Sequence, residues 1–297
     1  MNGVDGGPFH AGELRAQMLA GAGSAGGAIR DAMPEQHRDF FAGLRYLALA
    51  TLDPDGWPVA TMLAGPAGFI ASPDARRLEL AVPVERADPA LHALHKGSPV
   101  GLLGIDFSNR RRNRANGLAA AVHAGGLHID VRESFGNCPK YIHVREVESG
   151  SANASAPAEH FIGLDEGARA LLAVAETFFV ASSAGNTGGA GGVDISHRGG
   201  PAGFVQVNGA TLTIPDYSGN RYFNTLGNLL LEPRSALLFI DFASGDLLHL
   251  QGRAEILWQQ PQGRSLPAAE RSWHFHVQGG WRRRAALPLR WNRRNPA

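Results

Sequence analysis

The chain contains an internal repeat, and this repeat restricts the possible folds more than any other feature of the sequence. The pentapeptide Gly-Pro-Ala-Gly-Phe occurs at Gly65–Phe69 and again at Gly200–Phe204. The apolar run Gly101–Phe107 returns in related form at Ala236–Phe242, and both pairs are separated by the same 135 residues. Two motifs in one register indicate a duplication, so each copy is expected to form one structural unit.

Composition agrees with a soluble protein of two domains. The chain has 297 residues, of which 44% are hydrophobic and 19% charged, and domains average roughly 150 residues. The first residues lack the pattern of a secretory signal, and no apolar run is long enough to span a membrane. A cytoplasmic location is therefore expected. The single cysteine, Cys138, excludes an intrachain disulfide and a multi-cysteine metal centre.

The charge is nearly balanced overall but is uneven along the chain. A net charge of +1 predicts no general attraction to nucleic acid or to a membrane. From Arg271 onward, however, the chain has seven arginines and no aspartate or glutamate. Such a run is typical of a solvated face, and the alternative is a site for a phosphate group or an acidic partner protein.

The hydrophobic pattern changes from helical to strand-like near residue 46. Helix formers lie around Leu14–Leu19 and Glu35–Leu44, and shorter helices are predicted at Asp88–His95 and Phe223–Leu231. The rest consists of short apolar runs bounded by turn residues. The predicted strands are Tyr46–Leu52, Val59–Leu63, Leu78–Val82, Phe178–Ser182, Val193–Ser196, Phe204–Val207, Leu212–Ile214, Leu237–Phe242 and Leu247–Leu250. Many short strands and few helices predict a mainly β (α+β) protein of antiparallel barrels.

The second copy carries a group of residues suited to binding an anion. Ser196, His197 and Arg198 are followed by two glycines, and such a segment offers a hydroxyl, a guanidinium fork and accessible backbone N–H groups. Asp216 begins a turn that ends at Asn220 and Arg221, just before the helix predicted at Phe223–Leu231. Both arginines and the helix N-terminus could converge on one phosphate. The alternative is that the two arginines only pair with Asp194 and Asp216.

Four segments resemble the flavin-nucleotide-binding branch of the pyridoxamine-phosphate oxidase family. They are Asn109–Arg114, Phe135–Ile142, Ser196–Val205 and Pro215–Arg221. The resemblance implies two tandem, Greek-key-like split barrels that bind flavin mononucleotide (FMN). It also implies a flavin at the interface between two barrels, commonly within a homodimer. One barrel would hold the phosphate, and the other would reach the isoalloxazine ring.

On this basis the chain divides into five segments. They are an N-terminal helical segment (1–39), a first split barrel with a degenerate phosphate site (40–150), a linker (151–160), a second split barrel with the FMN phosphate site (161–258) and a basic C-terminal extension (259–297).

Comparison of the copies at the offset of 135 predicts that they have specialised. Arg198 corresponds to Leu63, and Asn220 corresponds to Glu85, although Arg221 retains a counterpart in Arg86. Conversely, the first-copy arginines 111, 112 and 114 correspond to residues 246, 247 and 249, of which none is an arginine or a lysine. We therefore expect one composite FMN site per chain. Its predicted residues are Val193, Asp194, Ile195, Ser196, His197, Arg198, Asp216, Asn220 and Arg221 from the second copy, with Arg111 and Arg112 from the first. The alternative for the basic run 110–114 is an exposed hairpin.

Two histidine pairs have spacings that could bind a metal ion, His92 with His95 and His274 with His276. Each offers only two nitrogens and has no nearby thiolate, so no metal site is expected.

The resulting functional hypothesis is an FMN-binding oxidoreductase. It would transfer hydride or electrons between a reduced donor such as NAD(P)H, or a separate reductase, and a small acceptor. Because the flavin carries the chemistry, no catalytic acid or base need be visible. The alternative is a non-catalytic carrier of flavin or haem, and nucleic-acid binding through the arginine-rich end is disfavoured.

Overall fold

The computed structural model describes residues 7–83, 88–152, 157–185, 192–259 and 268–293. The strands of the first copy are β1 (Tyr46–Leu52), β2 (Pro58–Ala64), β3 (Ile70–Ala71), β4 (Arg77–Leu80), β5 (Pro99–Asp106), β6 (Arg111–His123), β7 (Gly126–Gly136) and β8 (Arg145–Ser149). Those of the second are β9 (Glu159–Ile162), β10 (Thr177–Ser183), β11 (Val193–Gly199), β12 (Gln206–Asn208), β13 (Thr211–Tyr217), β14 (Arg234–Ile240), β15 (Leu247–Leu257), β16 (Ala269–Arg283) and β17 (Leu289–Arg293). The helices are α1 (Ala11–Leu19), α2 (Glu35–Ala42), α3 (Pro89–His92), α4 (Glu166–Val174) and α5 (Asn224–Leu231).

The two copies have the same sheet topology, which confirms the duplication. The first sheet has the order β2-β1-β5-β6-β7-β4-β3, and the second has the corresponding order β11-β10-β14-β15-β16-β13-β12, with β9 added beside β16. Neighbouring strands are antiparallel. Ile105 lies opposite Arg112 in the first sheet, and Ile240 lies opposite Leu247 in the second. The register of the strands therefore reproduces the offset seen in the sequence, and the expected mainly β architecture of two tandem barrels is confirmed.

The strand β1 is buried on both of its faces because each face packs against a different core. Leu47 and Leu49 belong to the core of the first barrel. Ala48 and Ala50, on the opposite face, belong to a core shared by the two copies. Side chains alternate between the two faces of a strand, so a continuous apolar run supplies both cores at once.

The shared core holds the two barrels against each other. It contains Phe107 from the first copy and Phe179, Ile195 and Leu238 from the second, all at most 1% exposed. The last strands of the copies, β8 and β17, also pair with each other as a separate two-stranded antiparallel sheet. Each copy thus ends by forming backbone hydrogen bonds to the other.

The helix α1 packs on the second copy, although it lies at the start of the chain. Its Gly12 approaches α5 so closely that an added Cβ would lie 2.3 Å from the carbonyl oxygen of Gly227. A Cβ on Gly227 would lie 2.6 Å from Cα of Glu13. Only glycine allows this backbone contact. It places Glu13 beside α5, where the side chain is 3% exposed.

The arginine-rich end of the chain is part of the second sheet. The strand β16, which falls in the segment assigned from sequence to a C-terminal extension, lies between β15 and β13. Its Arg271, Arg282 and Arg283 are at most 9% exposed, and they pair with Asp216, Asp165 and Asp88 at 2.7–2.9 Å. The expectation of a solvated basic face is wrong for these three arginines, because carboxylates distant in sequence neutralise them.

The predicted linker 151–160 includes the start of β9, and residues 153–156 lie outside the described part of the chain. Of the helices described, none combines the length and the apolar character needed to cross a membrane.

Candidate functional site

A pocket lies between the two copies and is lined by both. The first copy contributes Arg112 and Arg114 of β6 and the segment after β7, of which Asn137, Cys138, Lys140 and Tyr141 line the pocket. The second copy contributes side chains of β11, β13 and β16, the loop 219–223 and the first residues of α5. Seven of the eleven predicted site residues line this pocket, namely Arg112, Ser196, His197, Arg198, Asp216, Asn220 and Arg221.

The other four predicted residues lie elsewhere. The side chains of Val193 and Ile195 belong to the core shared by the copies, on the face of β11 opposite Ser196. Asp194 is buried and accepts a hydrogen bond of 2.7 Å from Asn116 Nδ2. Arg111 is exposed, and its guanidinium lies over the ring of Phe40 at 5.1 Å. Since Arg111 and Arg112 are neighbours on one strand, their side chains point to opposite faces of the sheet.

A hydrogen bond between Arg112 and His197 connects the copies inside the pocket. The guanidinium Nη1 donates to Nδ1 of the imidazole at 2.9 Å, and Nε donates to the carbonyl oxygen of Cys138 at 2.8 Å. Because arginine can only donate, Nδ1 of His197 acts as the acceptor and the neutral ring carries its proton on Nε2. That Nε2 is buried without a partner among the described residues.

Burial lowers the pKa of His197 well below its ordinary value, and the nearby positive charge of Arg112 acts in the same direction. Burial also lowers the pKa of Arg112, to about 10. At neutral pH the pair is therefore an uncharged imidazole hydrogen-bonded to a charged guanidinium. The carbonyl bond from Arg112 also gives the Cys138 segment a structural role.

Below the pocket, Arg114 joins a buried polar network that the sequence reasoning did not assign to the site. Its guanidinium donates to the hydroxyl of Ser196 and, at 3.2 Å, to Oδ1 of Asn224. Thr225 also donates to Ser196 Oγ, at 2.8 Å, and Asp194 faces the guanidinium at 3.6 Å. The signal for Arg114 was its position two residues after Arg112, which places both side chains on the same face of β6.

Arg198 lies on the opposite wall and shares a carboxylate with Arg271. Asp216 accepts from Arg198 at 2.5 Å and from Arg271 at 2.7 Å. The pairing of Arg198 with an aspartate matches the alternative considered from sequence. Arg271 also pairs with Glu270 at 2.9 Å, so the two guanidinium groups face two carboxylates. Arg271 was missed because it belongs to a strand that sequence reasoning left outside the barrel.

The loop before α5 has an uncommon backbone conformation. Arg221 and Phe223 have φ values of 61° and 62°, and non-glycine residues rarely adopt the left-handed region. Phe223 is the N-cap of α5 but forms no side-chain capping hydrogen bond. The first N–H groups of α5 therefore lack a side-chain cap at the point where Phe223, Asn224 and Thr225 line the pocket. Free N–H groups and the helix dipole favour a bound anion there.

The pocket as a whole has a surplus of positive charge. Its described lining contains six cationic side chains, Arg112, Arg114, Lys140, Arg198, Arg221 and Arg271, against the carboxylates Asp216 and Glu270. Within the same lining, Nε of Arg114 and Nε of Arg198 are buried without a hydrogen-bond partner. Buried donors of this kind are normally satisfied. The donor set fits an anionic ligand rich in oxygen acceptors.

Exchanging the two copies gives a second position equivalent to the pocket, and there the described polar side chains bond to one another. Thr61 is the counterpart of Ser196, and its hydroxyl donates to Asp88 at 2.6 Å. Arg283 also donates to Asp88, at 2.8 Å.

The counterpart of Arg114 is His249, and its ring stacks on Trp281 with centroids 3.6 Å apart. Burial lowers the pKa of His249 to about 3, so the imidazole is uncharged at neutral pH. Trp281 is thus stacked on an uncharged ring. Glu85 and Arg86, compared from sequence with Asn220 and Arg221, lie outside the described residues.

The sequence profile of the pyridoxamine 5'-phosphate oxidase family matches residues 33–146 and, a second time, residues 164–289. The chain belongs to this family. The matched segments correspond to the two barrels, so the pyridoxamine 5'-phosphate oxidase pattern is itself duplicated, and the second segment includes β16 with Arg271.

No curated protein matches the chain. Similar solved structures include a putative pyridoxamine 5'-phosphate oxidase from Lactobacillus delbrueckii, which is 20% identical, has a TM-score of 0.27, and covers 36% of this chain and 95% of its own. A protein from Clostridium acetobutylicum related to general stress protein 26 is 16% identical, with a TM-score of 0.29 and coverage of 44% and 96%. An F420 reductase is 18% identical, with a TM-score of 0.24 and coverage of 34% and 95%.

Proposed function

We propose that this protein is a flavin-dependent oxidoreductase that binds one FMN per chain at the pocket between its two copies. The observation that carries the proposal is the difference between two equivalent positions. One is a cationic pocket lined by both copies, and the other holds the Asp88–Arg283 pair and the His249–Trp281 stack. Membership of the pyridoxamine 5'-phosphate oxidase family supports a flavin as the ligand.

The phosphate group of FMN would be held by the second copy. Arg198 and Arg221 provide guanidinium donors, Asn220 provides an amide, and the N-terminus of α5 provides free N–H groups. These groups all line the pocket. Hydrogen bonds to a charged group contribute about 1.5–3 kcal/mol each, so two or three of them can retain a phosphorylated cofactor.

The isoalloxazine ring would lie toward the first copy. Bound flavin supplies the group that accepts and donates hydride or electrons. Arg112 would stabilise negative charge on a ligand beside it, because its own positive charge is held at the pocket by the bonds to His197 and Cys138. The proton on Nε2 of His197 is a further donor for a ligand acceptor. These residues would bind and orient the flavin, and none of them needs to act as an acid or a base.

The donor and acceptor in this proposal are those expected from sequence, NAD(P)H or a separate reductase as donor and a small molecule as acceptor. We also propose that a second chain is not needed for the site, since both walls of the pocket come from one polypeptide. A homodimer would then add stability without completing the pocket. A cytoplasmic location remains part of this proposal.

The experiment that tests the function is identification of the chromophore followed by turnover. The untagged chain is purified, its cofactor is released by denaturation and identified by mass spectrometry, and oxidation of NADH and NADPH is followed with an added electron acceptor. We expect one FMN per chain and steady-state oxidation of one of the two nucleotides. Stoichiometric FMN without turnover by either donor would favour the carrier alternative, and haem in place of flavin would refute the proposed cofactor.

A further inference from the structure

A cluster of metal-binding side chains lies on the outer face of the second sheet. His274 and His276 are two residues apart on β16, so both point to the same face. Glu255 on β15 is directly opposite His274 in the register of the sheet. Trp273 and Phe275, which alternate with the histidines, face the core of the barrel. The cluster therefore forms on the side of β16 that faces away from this core.

The ligand atoms are close enough to share one ion. One nitrogen from each imidazole and one carboxylate oxygen all lie within 4.8 Å of one another. His276 Nε2 is 3.5 Å from Glu255 Oε2. Ligands about 2.0–2.2 Å from a tetrahedral zinc ion stand roughly 3.4 Å apart. Since the side chain of Glu255 is 63% exposed, it can rotate to close the remaining distances.

A hydrogen bond to Thr211 orients His276 for this role. The hydroxyl of Thr211 on β13 lies 3.2 Å from Nδ1 of His276. When Nδ1 carries the proton and donates to Thr211, the lone pair of Nε2 points toward Glu255. Metal-binding histidines typically donate their other ring N–H in this way, and the partner fixes both tautomer and ring orientation.

We propose that Glu255, His274 and His276 form a binding site for a zinc ion. Two imidazoles and one carboxylate are a ligand set that zinc accepts, whereas Mg²⁺ and Ca²⁺ prefer oxygen ligands alone. Three protein ligands leave a fourth position for water or for a ligand from outside. In the sequence, the pair His274 and His276 offered only two nitrogens. The third ligand, Glu255, is brought beside them by the pairing of β15 with β16.

This site is separate from the pocket between the copies, because none of its three residues lines that pocket. Among the described residues, it is also the only group of three metal-binding side chains with this spacing. The first copy provides an internal comparison. His123 and His128 lie with their Nε2 atoms 3.5 Å apart, but no described carboxylate or thiol completes a set of three around them.

The test is zinc binding to the full, untagged chain after treatment with a chelator, measured by isothermal titration calorimetry near neutral pH. We expect one zinc ion per wild-type chain, and a rise in the thermal unfolding midpoint when zinc is added. Glu255→Gln and His276→Ala should each weaken binding by more than about tenfold, since loss of even an outer partner of a ligand costs about 10–100-fold. Thr211→Val should weaken binding by about tenfold.

The double variant His123→Ala/His128→Ala serves as the matched control and should bind zinc like wild type. Copper(II) substitution gives an independent readout, because nitrogen hyperfine coupling in the electron paramagnetic resonance spectrum should be lost in His274→Ala/His276→Ala. Failure of the wild-type chain to bind one equivalent would overturn the proposal. Unchanged affinity in Glu255→Gln, or loss of binding only in the His123/His128 variant, would overturn it as well. Circular dichroism of every variant separates loss of the site from loss of the fold.

Discussion

Arg112 of the first copy donates a hydrogen bond of 2.9 Å to Nδ1 of His197 in the second copy. This contact joins the two walls of the pocket and fixes the proton of His197 on Nε2. It also holds a guanidinium of the first barrel against the second barrel, beside the pocket.

We predict that Arg112→Ala lowers the midpoint potential of bound FMN. A half-buried cation such as Arg112 stabilises the negative charge gained on reduction, and a charge-assisted bond of about 1.5–3 kcal/mol corresponds to a drop of about 30–60 mV for a two-electron couple. Equilibrium reduction against a reference dye measures it. Arg111→Ala is the matched control, since this neighbour points to the opposite face, and its potential should equal that of wild type. An equal shift of the midpoint potential in both variants would show that Arg112 does not lie at the flavin ring.

Arg198→Ala and Arg221→Ala should each weaken FMN binding by about 10–100-fold, and the double variant should be purified folded but colourless. Each arginine supplies a charge-assisted bond of about 1.5–3 kcal/mol to the phosphate. Folding is preserved because Asp216 keeps its bond to Arg271 when Arg198 is removed. Fluorescence titration of the apoprotein with FMN gives the affinities.

The exposed Arg132 of the first copy is the control for the loss of one positive charge, and Arg132→Ala should bind FMN like wild type. If the double variant retained stoichiometric FMN, the phosphate would have to be placed elsewhere.

Glu13 should make the protein less stable as the pH rises. Burial raises the pKa of this carboxyl to about 8, with the neighbouring charge of Asp194 acting in the same direction. Between the unfolded pKa, near 4.5, and the folded pKa, the folded state holds a proton that the unfolded state has lost. The stability contribution is therefore complete below the lower value and is lost as pH rises through the higher one, with a slope of at most about 1.4 kcal/mol per pH unit.

The substitution Glu13→Gln should flatten this dependence, which urea unfolding at about pH 5 and about pH 8.5 measures. Burial also raises the pKa of Glu133, to about 7, so both carboxyls contribute to the pH dependence of the wild-type stability. The contribution of Glu13 is therefore the difference between the wild-type curve and the Glu13→Gln curve. The exposed Glu166→Gln is the control and should keep the wild-type slope. A Glu13→Gln curve parallel to that of wild type would contradict the prediction.

Asp88→Asn should destabilise the chain by about 1.5–3 kcal/mol, because it removes the charge of a buried carboxylate that accepts hydrogen bonds from Arg283 and Thr61. Asp88 and Arg283 are 2% and 4% exposed and lie 2.8 Å apart. Asp130→Asn removes an exposed partner of Arg77 at 4.0 Å and should cost less than about 1 kcal/mol. Chemical denaturation of both variants compares their losses in the free energy of unfolding. Equal losses would show that the buried Asp88–Arg283 pair stabilises the chain no more than an exposed pair does.

The sequence predicted the repeated strands well where apolar residues were continuous. Tyr46–Leu52 was assigned with its bounds as observed, since this strand supplies two cores and reads as one hydrophobic run. The long strands β6 and β7 were not predicted. In β6, Arg112 and Arg114 face the pocket and its buried network, so apolar and polar residues do not simply alternate. In β7, Leu127, Ile129 and Val131 do alternate with polar residues, and this strand signal was overlooked.

The arginines of β16 show why the rest of the site was missed. Arg283 is 195 residues from the aspartate that neutralises it, and Arg271 is 55 residues from Asp216. A local sequence pattern contains no information about such partners. The comparison of the two copies singled out Arg112 and Arg198, which both line the pocket, because the duplication supplied a second sequence against which each residue could be compared.

The pairing of β8 with β17 joins the ends of the two copies within a single polypeptide. An assembly of two identical subunits comes apart on dilution. Every mutation in its gene also changes both of its symmetry-related sites at once. A covalently linked pair has neither constraint. Its pocket remains intact at any protein concentration, and one side can lose its ligand groups through mutation while the other side keeps them.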